Sequence, residues 1–290
     1  MDIQNQECPD PVFILGAPRS GTTALAWSLA QHSSLWTSGE SYILWELFGH
    51  QRGRTGLETI FQTAEVLATG SWLTAEDVGR EELLRYLGVG VNALFASRSR
   101  GKRWIDHTPV QTLMMDLLGT MFPGAMFLHV LRDGRKVVNS MIHFHDALEE
   151  NVRANFARAG WTIPWTDFTV ACKTWREYVE AALAFGERHP ERCLTVRHDH
   201  LVVDPESCLQ EVCDFIQVSY EESLTHYVRN HQLHSSFRSG PGEERGAKSL
   251  VSEPSNQWSA DQKATFAREA GPTLVRCGLA TAAELQEQML

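Results

Sequence analysis

Apolar and polar positions along the chain fall into two alternating periods. Val12 to Leu15 is an unbroken apolar run, Gly16 to Gly21 is a turn of small residues, and from Thr22 the apolar positions Ala24, Leu25, Leu29 and Ala30 return at helical spacing. This pattern predicts strand, loop, helix. The unit recurs at "KRWIDHTP", an extended piece after which Thr108 as N-cap and Pro109 at the first helical position open a helix with Leu113, Met114, Leu117, Leu118 and Met121 on one face. "AMFLHVLRDGR" predicts another buried strand with a charged tip, followed by a helix on which Val137, Val138, Met141, His145 and Leu148 share a side. A long helix over 167–189, a strand at "RCLTVRH", a helix opened by Asp204 and Pro205, and a capping box at "SADQ" from Ser259 complete the pattern.

Two stretches depart from this alternation. Residues 41–99 repeat apolar positions at three and four in "LETIFQTAEVL" and "EELLRYLGVGVNALFA", which predicts a helical insertion, over about 41–100, placed to cover a substrate. "HSSFRSGPGEERGAKS" is rich in Gly, Ser and charge, so 235–256 is expected to be a mobile loop closing over a ligand. Strands separated by helices predict an α/β fold, one domain over 1–290, with a central parallel sheet flanked by helices on both faces and ligands at the carboxyl ends of the strands.

Composition narrows the partners. With 43% apolar and 21% charged residues the chain is an ordinary globular protein. Its net charge of −10 repels a long polyanion, so no nucleic acid is expected. "MDIQNQECPD" has neither a basic n-region nor an apolar h-region, and no run approaches the roughly 20 apolar residues that span a bilayer, so the expectation is a cytoplasmic protein that does not engage a membrane. The 6 cysteines are scattered without C-x-x-C spacing and read as free thiols; no metal site is expected.

The chemistry begins at "GAPRSGTT". Successive loop amides and the positive end of the following helix suit an anion. Gly16 and Gly21 have the spacing of a nucleotide triphosphatase loop, but Thr22 stands where the lysine should be, and the β- and γ-phosphates would lose their main charge partner. The cation is instead Arg19, inside the loop, surrounded by Ser20, Thr22 and Thr23. "LRDGRKVVNSMI" offers a second anion site, with Arg132 at a strand tip and Ser140 eight residues on along the next helix. An ATP-dependent kinase is the first alternative, since Asp133 after an apolar strand imitates a magnesium-binding acid. A non-catalytic nucleotide-binding module is the second.

In these motifs the chain resembles the sulfotransferases that use 3′-phosphoadenosine 5′-phosphosulfate (PAPS), most of all the tyrosylprotein and related bacterial branch. "GAPRSGTT" resembles their 5′-phosphosulfate loop, Arg132 and Ser140 their 3′-phosphate site, "SGESY" their G-E, and "VRHDHLVVDP" a strand-end segment in which His198 stands in place of tyrosine. Lys248, ten residues before Trp258, is placed like a cofactor-contacting lysine of that branch. The resemblance implies a fold related to the P-loop nucleotide kinases and sulfuryl transfer from PAPS to a hydroxyl, without a metal. It implies cofactor contacts from Arg19, Ser20, Gly21, Thr22, Thr23, Arg132, Ser140, His198 and Lys248. Phe144 occupies a place where the family carries a second basic residue, and Arg135, His143 and Arg238 are the candidates to make good the loss.

An attacking hydroxyl must give up its proton. His107 matches the T-H-x-P place of cytosolic sulfotransferases, whereas Glu40 matches the catalytic glutamate of the tyrosylprotein branch; together with Arg19 they are the candidate catalytic residues. His107 is preferred as base because an imidazole titrates near neutral pH with little tuning. Asp106 orients His107 only if its side chain turns back, since neighbours in an extended piece point to opposite faces. The acceptor is expected to be a small molecule or glycan-like, with Trp36, Tyr42, Trp45, Trp161 and Trp165 serving either a pocket or the core.

Overall fold

A computed structural model describes residues 9–49, 56–67, 71–148, 150–159, 163–230 and 257–289. Five strands, β1 (Val12–Leu15), β2 (Leu35–Thr37), β3 (Arg103–Asp106), β4 (Met126–Leu131) and β5 (Cys193–Arg197), form a sheet of order β2-β3-β1-β4-β5. Every pairing is parallel. A parallel sheet covered on both sides needs strands that are apolar on both faces, and β1 meets this: Val12 and Ile14 enter one core, Phe13 and Leu15 the other, all fully buried.

The helices are α1 (Thr22–Leu29), α2 (Ile43–Phe48), α3 (Gly56–Leu67), α4 (Trp72–Ala75), α5 (Arg80–Ser99), α6 (Met115–Met121), α7 (Gly134–Ile142), α8 (Phe144–Ala147), α9 (Glu150–Ala159), α10 (Phe168–Arg188), α11 (His198–Val203), α12 (Pro205–Phe215), α13 (Glu222–Asn230), α14 (Ala260–Glu269), α15 (Gly271–Arg276) and α16 (Ala282–Met289). One apolar core joins β1 and β4 to α1, α12 and α13; a second joins the opposite face to α2, α5 and α6; a third gathers α7, α10, α14 and α15 around Trp175. No described helix is long and apolar enough to cross a membrane.

Asp204 and Ser259 cap their helices as their sequences predict, Ser259 with the reciprocal bond from its own amide to Gln262, and Asp167 caps α10. Thr108 does not. Its hydroxyl donates to Asp106 Oδ1 at 2.6 Å, and Pro109 opens a 3₁₀ turn (Pro109–Met114) before α6 begins. That turn rotates the chain by a third of a circle per residue, which leaves Leu113 45% exposed instead of in the predicted apolar face. His145, expected to share a face with Met141, is exposed because α7 stops at Ile142.

His129 of β4 is wholly enclosed, with Thr195 Oγ1 3.4 Å from its Nδ1, and burial pushes its pKa down to about 4. A neutral histidine that charges more readily once unfolded stabilises the fold in full above pH ~6.5 and loses that contribution as pH falls from there to about 4, on the order of 3 kcal/mol in total. His129→Gln should therefore show a shallower decline of Tm than the native protein across that window, measured by calorimetry; parallel curves would assign the acid sensitivity elsewhere.

Candidate active site

The loops after β1, β2, β3 and β4 leave the sheet at the carboxyl ends of its parallel strands, on either side of β1, and the space they face is the candidate cleft. Gly16 starts the first of them, where a Cβ would stand 2.6 Å from the Val130 carbonyl oxygen, so only glycine lets the chain leave β1 against β4. The Gly16 amide donates to Thr112 Oγ1 at 2.9 Å, and that hydroxyl donates to the Pro109 carbonyl at 2.7 Å. The 3₁₀ turn thereby fixes the root of the loop. At its far end Gly21 has φ 106, and a Cβ there would lie 2.6 Å from His198 Cδ2. His198, the predicted cofactor residue, is buried and shores up the start of α1.

Within the loop, Ser20 and Thr22 are buried and Thr23 is half-buried, while the first amides of α1 have no carbonyl within the helix to bond. Ser20 Oγ finds no acceptor or donor among the described residues. Arg19 adopts φ 73, a conformation unfavourable for a residue with a side chain, which turns its carbonyl toward Arg132. Arg132 Nη1 donates to that carbonyl at 3.0 Å, and Trp175 Nε1 holds the Arg132 carbonyl at 3.2 Å. Arg132 Nε is buried with no acceptor among the described residues.

Two positive groups so close in a partly desolvated cleft weaken each other. Burial, and then the Arg19 charge, push Arg132 down to about 10, while burial lowers Arg19 against the opposing pull of Glu40. Both stay cationic at neutral pH. Arg19 Nε donates to Ser140 Oγ at 3.2 Å, and its guanidinium lies over the Phe144 ring, 4.9 Å from the centroid. The loop and the Arg132–Ser140 pair, predicted as two separate anion sites, are thus one continuous basic surface bridged by Arg19. Phe144, which departs from the family's basic residue, supports Arg19 from beneath.

The substitutes considered for that missing base are placed elsewhere. Arg135 grips Asp133 through both its Nε, at 3.0 Å, and its Nη2, and His143 is exposed with Nδ1 on the Asn139 carbonyl. Arg238 and Lys248 lie outside the described residues, as do Trp161 and the whole of the predicted loop over 235–256. Asp133 caps α7 through the Arg135 amide at 2.8 Å. Its carboxylate is therefore occupied by an arginine and a helix terminus, which removes the feature that imitated a kinase magnesium ligand.

Across the cleft, Asp106 at the end of β3 accepts from Ser41 Oγ, from the Thr108 amide at 2.9 Å and hydroxyl, and from Gln111 Nε2 at 3.3 Å. The Ser41 amide in turn donates to Thr108 Oγ1 at 3.0 Å. This cluster ties the loop carrying Glu40 to the strand carrying His107. Asp106 does not hold His107; Thr37 does, with Oγ1 3.3 Å from Nδ1. Because the Thr37 hydroxyl donates to the Ile105 carbonyl at 3.0 Å, it accepts from Nδ1–H, which leaves the His107 Nε2 lone pair as the basic one.

His107 is 2% exposed, and burial lowers its pKa despite the opposing charge of Asp106, so it is neutral at pH 7. Glu40 is accessible at the cleft mouth, yet the protein around it raises its pKa; the hydrogen bond from Tyr42 Oη at 2.6 Å and the Arg19 charge pull the other way, and Asp106 pushes it up further. Glu40 therefore senses the Arg19 charge from the loop after β2. Thr37 and Thr112 were not singled out by sequence. Phe144 carried a signal, as the odd residue in a basic position.

The model of a family described as "Sulfotransferase family" matches residues 11–222. The chain belongs to the sulfotransferase family. The matched span runs from β1 to the start of α13 and includes Arg19, Glu40, His107, Arg132 and Ser140. Among proteins similar to this family member, protein-tyrosine sulfotransferase 1 of Danio rerio is 25% identical over 237 residues, covering 78% of this chain and 58% of its own. Protein-tyrosine sulfotransferase 2 of Gallus gallus is 24% identical over 230 residues, 74% of this chain and 53% of its own. The chain thus spans little more than half the length of these two relatives. The solved sulfotransferase domain from the curacin biosynthetic pathway superposes with TM-score 0.50 at 22% identity, covering 78% of this chain and 79% of that one, which supports the α/β sulfotransferase fold.

Proposed function

We propose that this sulfotransferase moves a sulfuryl group from PAPS to a hydroxyl of a small-molecule, natural-product or glycan-like acceptor. The observation that carries the reading is the buried guanidinium of Arg132, held by the Arg19 carbonyl with its Nε lacking an acceptor among the described residues, together with the equally unmatched Ser20 hydroxyl of the same loop as Arg19. A buried cation beside a second cation is costly unless an anion completes it. A nucleotide carrying a phosphate on its ribose and another at its 5′ end fits such a continuous basic surface, and the strand, loop and helix that hold it are those of a P-loop nucleotide kinase fold.

When bound, PAPS supplies the activated sulfuryl group. Ser20, Thr22, Thr23 and the first amides of α1 hold the 5′ anionic end, Arg132 and Ser140 the ribose phosphate, and Arg19 stabilises charge that grows on a leaving oxygen. His107 takes the acceptor proton on Nε2, since Thr37 occupies Nδ1. Glu40, hydrogen-bonded by Tyr42, orients the acceptor. Lys248 is assigned to the nucleotide through its place in the sequence.

The reading is tested with isotopically labelled PAPS and a panel of alcohols and phenols. Native protein should transfer label, and kcat/KM should be flat above pH ~6.5 and fall only as pH drops through the lowered His107 pKa, because the base must be unprotonated. His107→Ala should cut kcat on the order of 10²–10⁴-fold with nucleotide affinity unchanged. Label retained on PAPS with every acceptor would instead leave a nucleotide-binding module.

A further inference from the structure

We propose that α5 is the crossing helix of a symmetric dimer of this chain, packed antiparallel on its own copy about a two-fold axis at Gly90. The inference is independent of the sulfuryl-transfer reading. One side of α5 is fully used inside the protomer: Leu84, Gly88, Phe95 and Ala96 are buried, and a Cβ at Gly88 would meet the Met121 carbonyl oxygen at 2.0 Å. The opposite side carries Tyr86, 70% exposed, Val89, 69%, and Leu94, 48%. Large apolar side chains gathered on one helix face mark an association surface.

Gly90 sits in the middle of that face, where a Cβ would meet nothing within 4 Å. Glycine inside a helix costs about 0.5–1 kcal/mol relative to alanine, and no described residue of the protomer requires it here. A neighbouring backbone passing close to this point does. Glu82, Tyr86, Gly90, Leu94 and Arg98 form one ridge with spacing four, and such ridges pack into each other's grooves at a crossing angle near −50° with axes about 8–10 Å apart.

The ridge is complementary to itself in reverse. Acid and base stand equally far from Gly90, about 12 Å along the axis, so antiparallel crossing sets Glu82 beside Arg98 of the other copy, and Tyr86 beside Leu94, twice by symmetry. Both charges are available, for neither pairs with a described residue, whereas Glu81 already pairs with Arg85 at 3.7 Å. Preference of acids for helix starts and bases for helix ends accounts for the charges alone. It does not account for the apolar side chains between them or for the glycine at the centre. A contact of one helix per protomer is small, so the dimer should be reversible and concentration-dependent.

Sedimentation equilibrium of the full chain across a range of concentrations, with circular dichroism to confirm folding, tests this. Native protein should dimerise; Glu82→Lys and Arg98→Glu should each weaken the dimer about tenfold, because two attractive contacts become repulsive. An equimolar mixture of the two variants should regain native affinity, since each then meets its opposite charge. Gly90→Cys should form a disulfide-linked dimer under mild oxidation. A native chain monomeric at every concentration, or a dimer indifferent to both reversals, would overturn the proposal and leave the ridge to a different protein.

Discussion

Replacing Arg19 by alanine is expected to lower kcat on the order of 10²–10³-fold while the protein remains folded. The side chain is not part of the apolar core; it crosses the cleft from the loop after β1, reaches Ser140 Oγ at 3.2 Å and rests on Phe144. On the proposed mechanism its loss removes the one arginine of the loop that meets the developing charge, an interaction that would be stronger in the transition state than in the bound substrate. Nucleotide affinity should fall less than kcat. Arg19→Lys restores charge without the planar fork and should recover only part of the rate. Rapid-quench measurement of a single turnover separates the chemical step from release. An Arg19→Ala protein that turns over at native rate would show that the loop arginine serves packing alone.

The second large effect is expected at Arg132, and in binding more than in turnover. Truncating one member of a buried charge pair costs about 2–5 kcal/mol, so Arg132→Met should weaken adenosine 3′,5′-bisphosphate by at least about 30-fold. The same substitution removes a buried guanidinium whose Nε lacks an acceptor among the described residues and whose neighbour is a second cation. The unliganded variant should therefore melt no lower than the native protein by more than the loss of the bond to the Arg19 carbonyl, while the rise of Tm with added nucleotide, a direct readout of affinity, largely disappears. Thermal shift at several nucleotide concentrations reads both. A native-sized shift in the variant would place the ribose phosphate elsewhere.

The central strands were readable because burial on both faces leaves a nearly continuous apolar run, unbroken at Val12–Leu15 and interrupted by His129 alone at Met126–Leu131. Strand β2 was not, since three residues between polar neighbours display no period. The helix face through Leu113 failed for a different reason: six residues of 3₁₀ turn shift the phase of everything that precedes α6. In the site, Arg19 and Arg132 were legible as cations attached to strand tips, which topology brings together at the carboxyl edge. Thr37 was not, because its meeting with His107 depends on the β2–β3 register that sets Thr37 opposite Ile105. Thr112 and Asp106 likewise act across long sequence separations, reaching Gly16 and Ser41. Local pattern names the element and its chemistry; the partners that fix a tautomer or a loop come from tertiary register.

The basic cleft shared by Arg19, Arg132 and Ser140 is the centre of the account, and calorimetric titration of the native protein with adenosine 3′,5′-bisphosphate, set against ATP with Mg²⁺, tests it most directly. The expected result is one site for the bisphosphate, lost in Arg132→Met, with ATP–Mg²⁺ binding far more weakly. Tighter binding of ATP–Mg²⁺, or bisphosphate binding untouched by Arg132→Met, would contradict it.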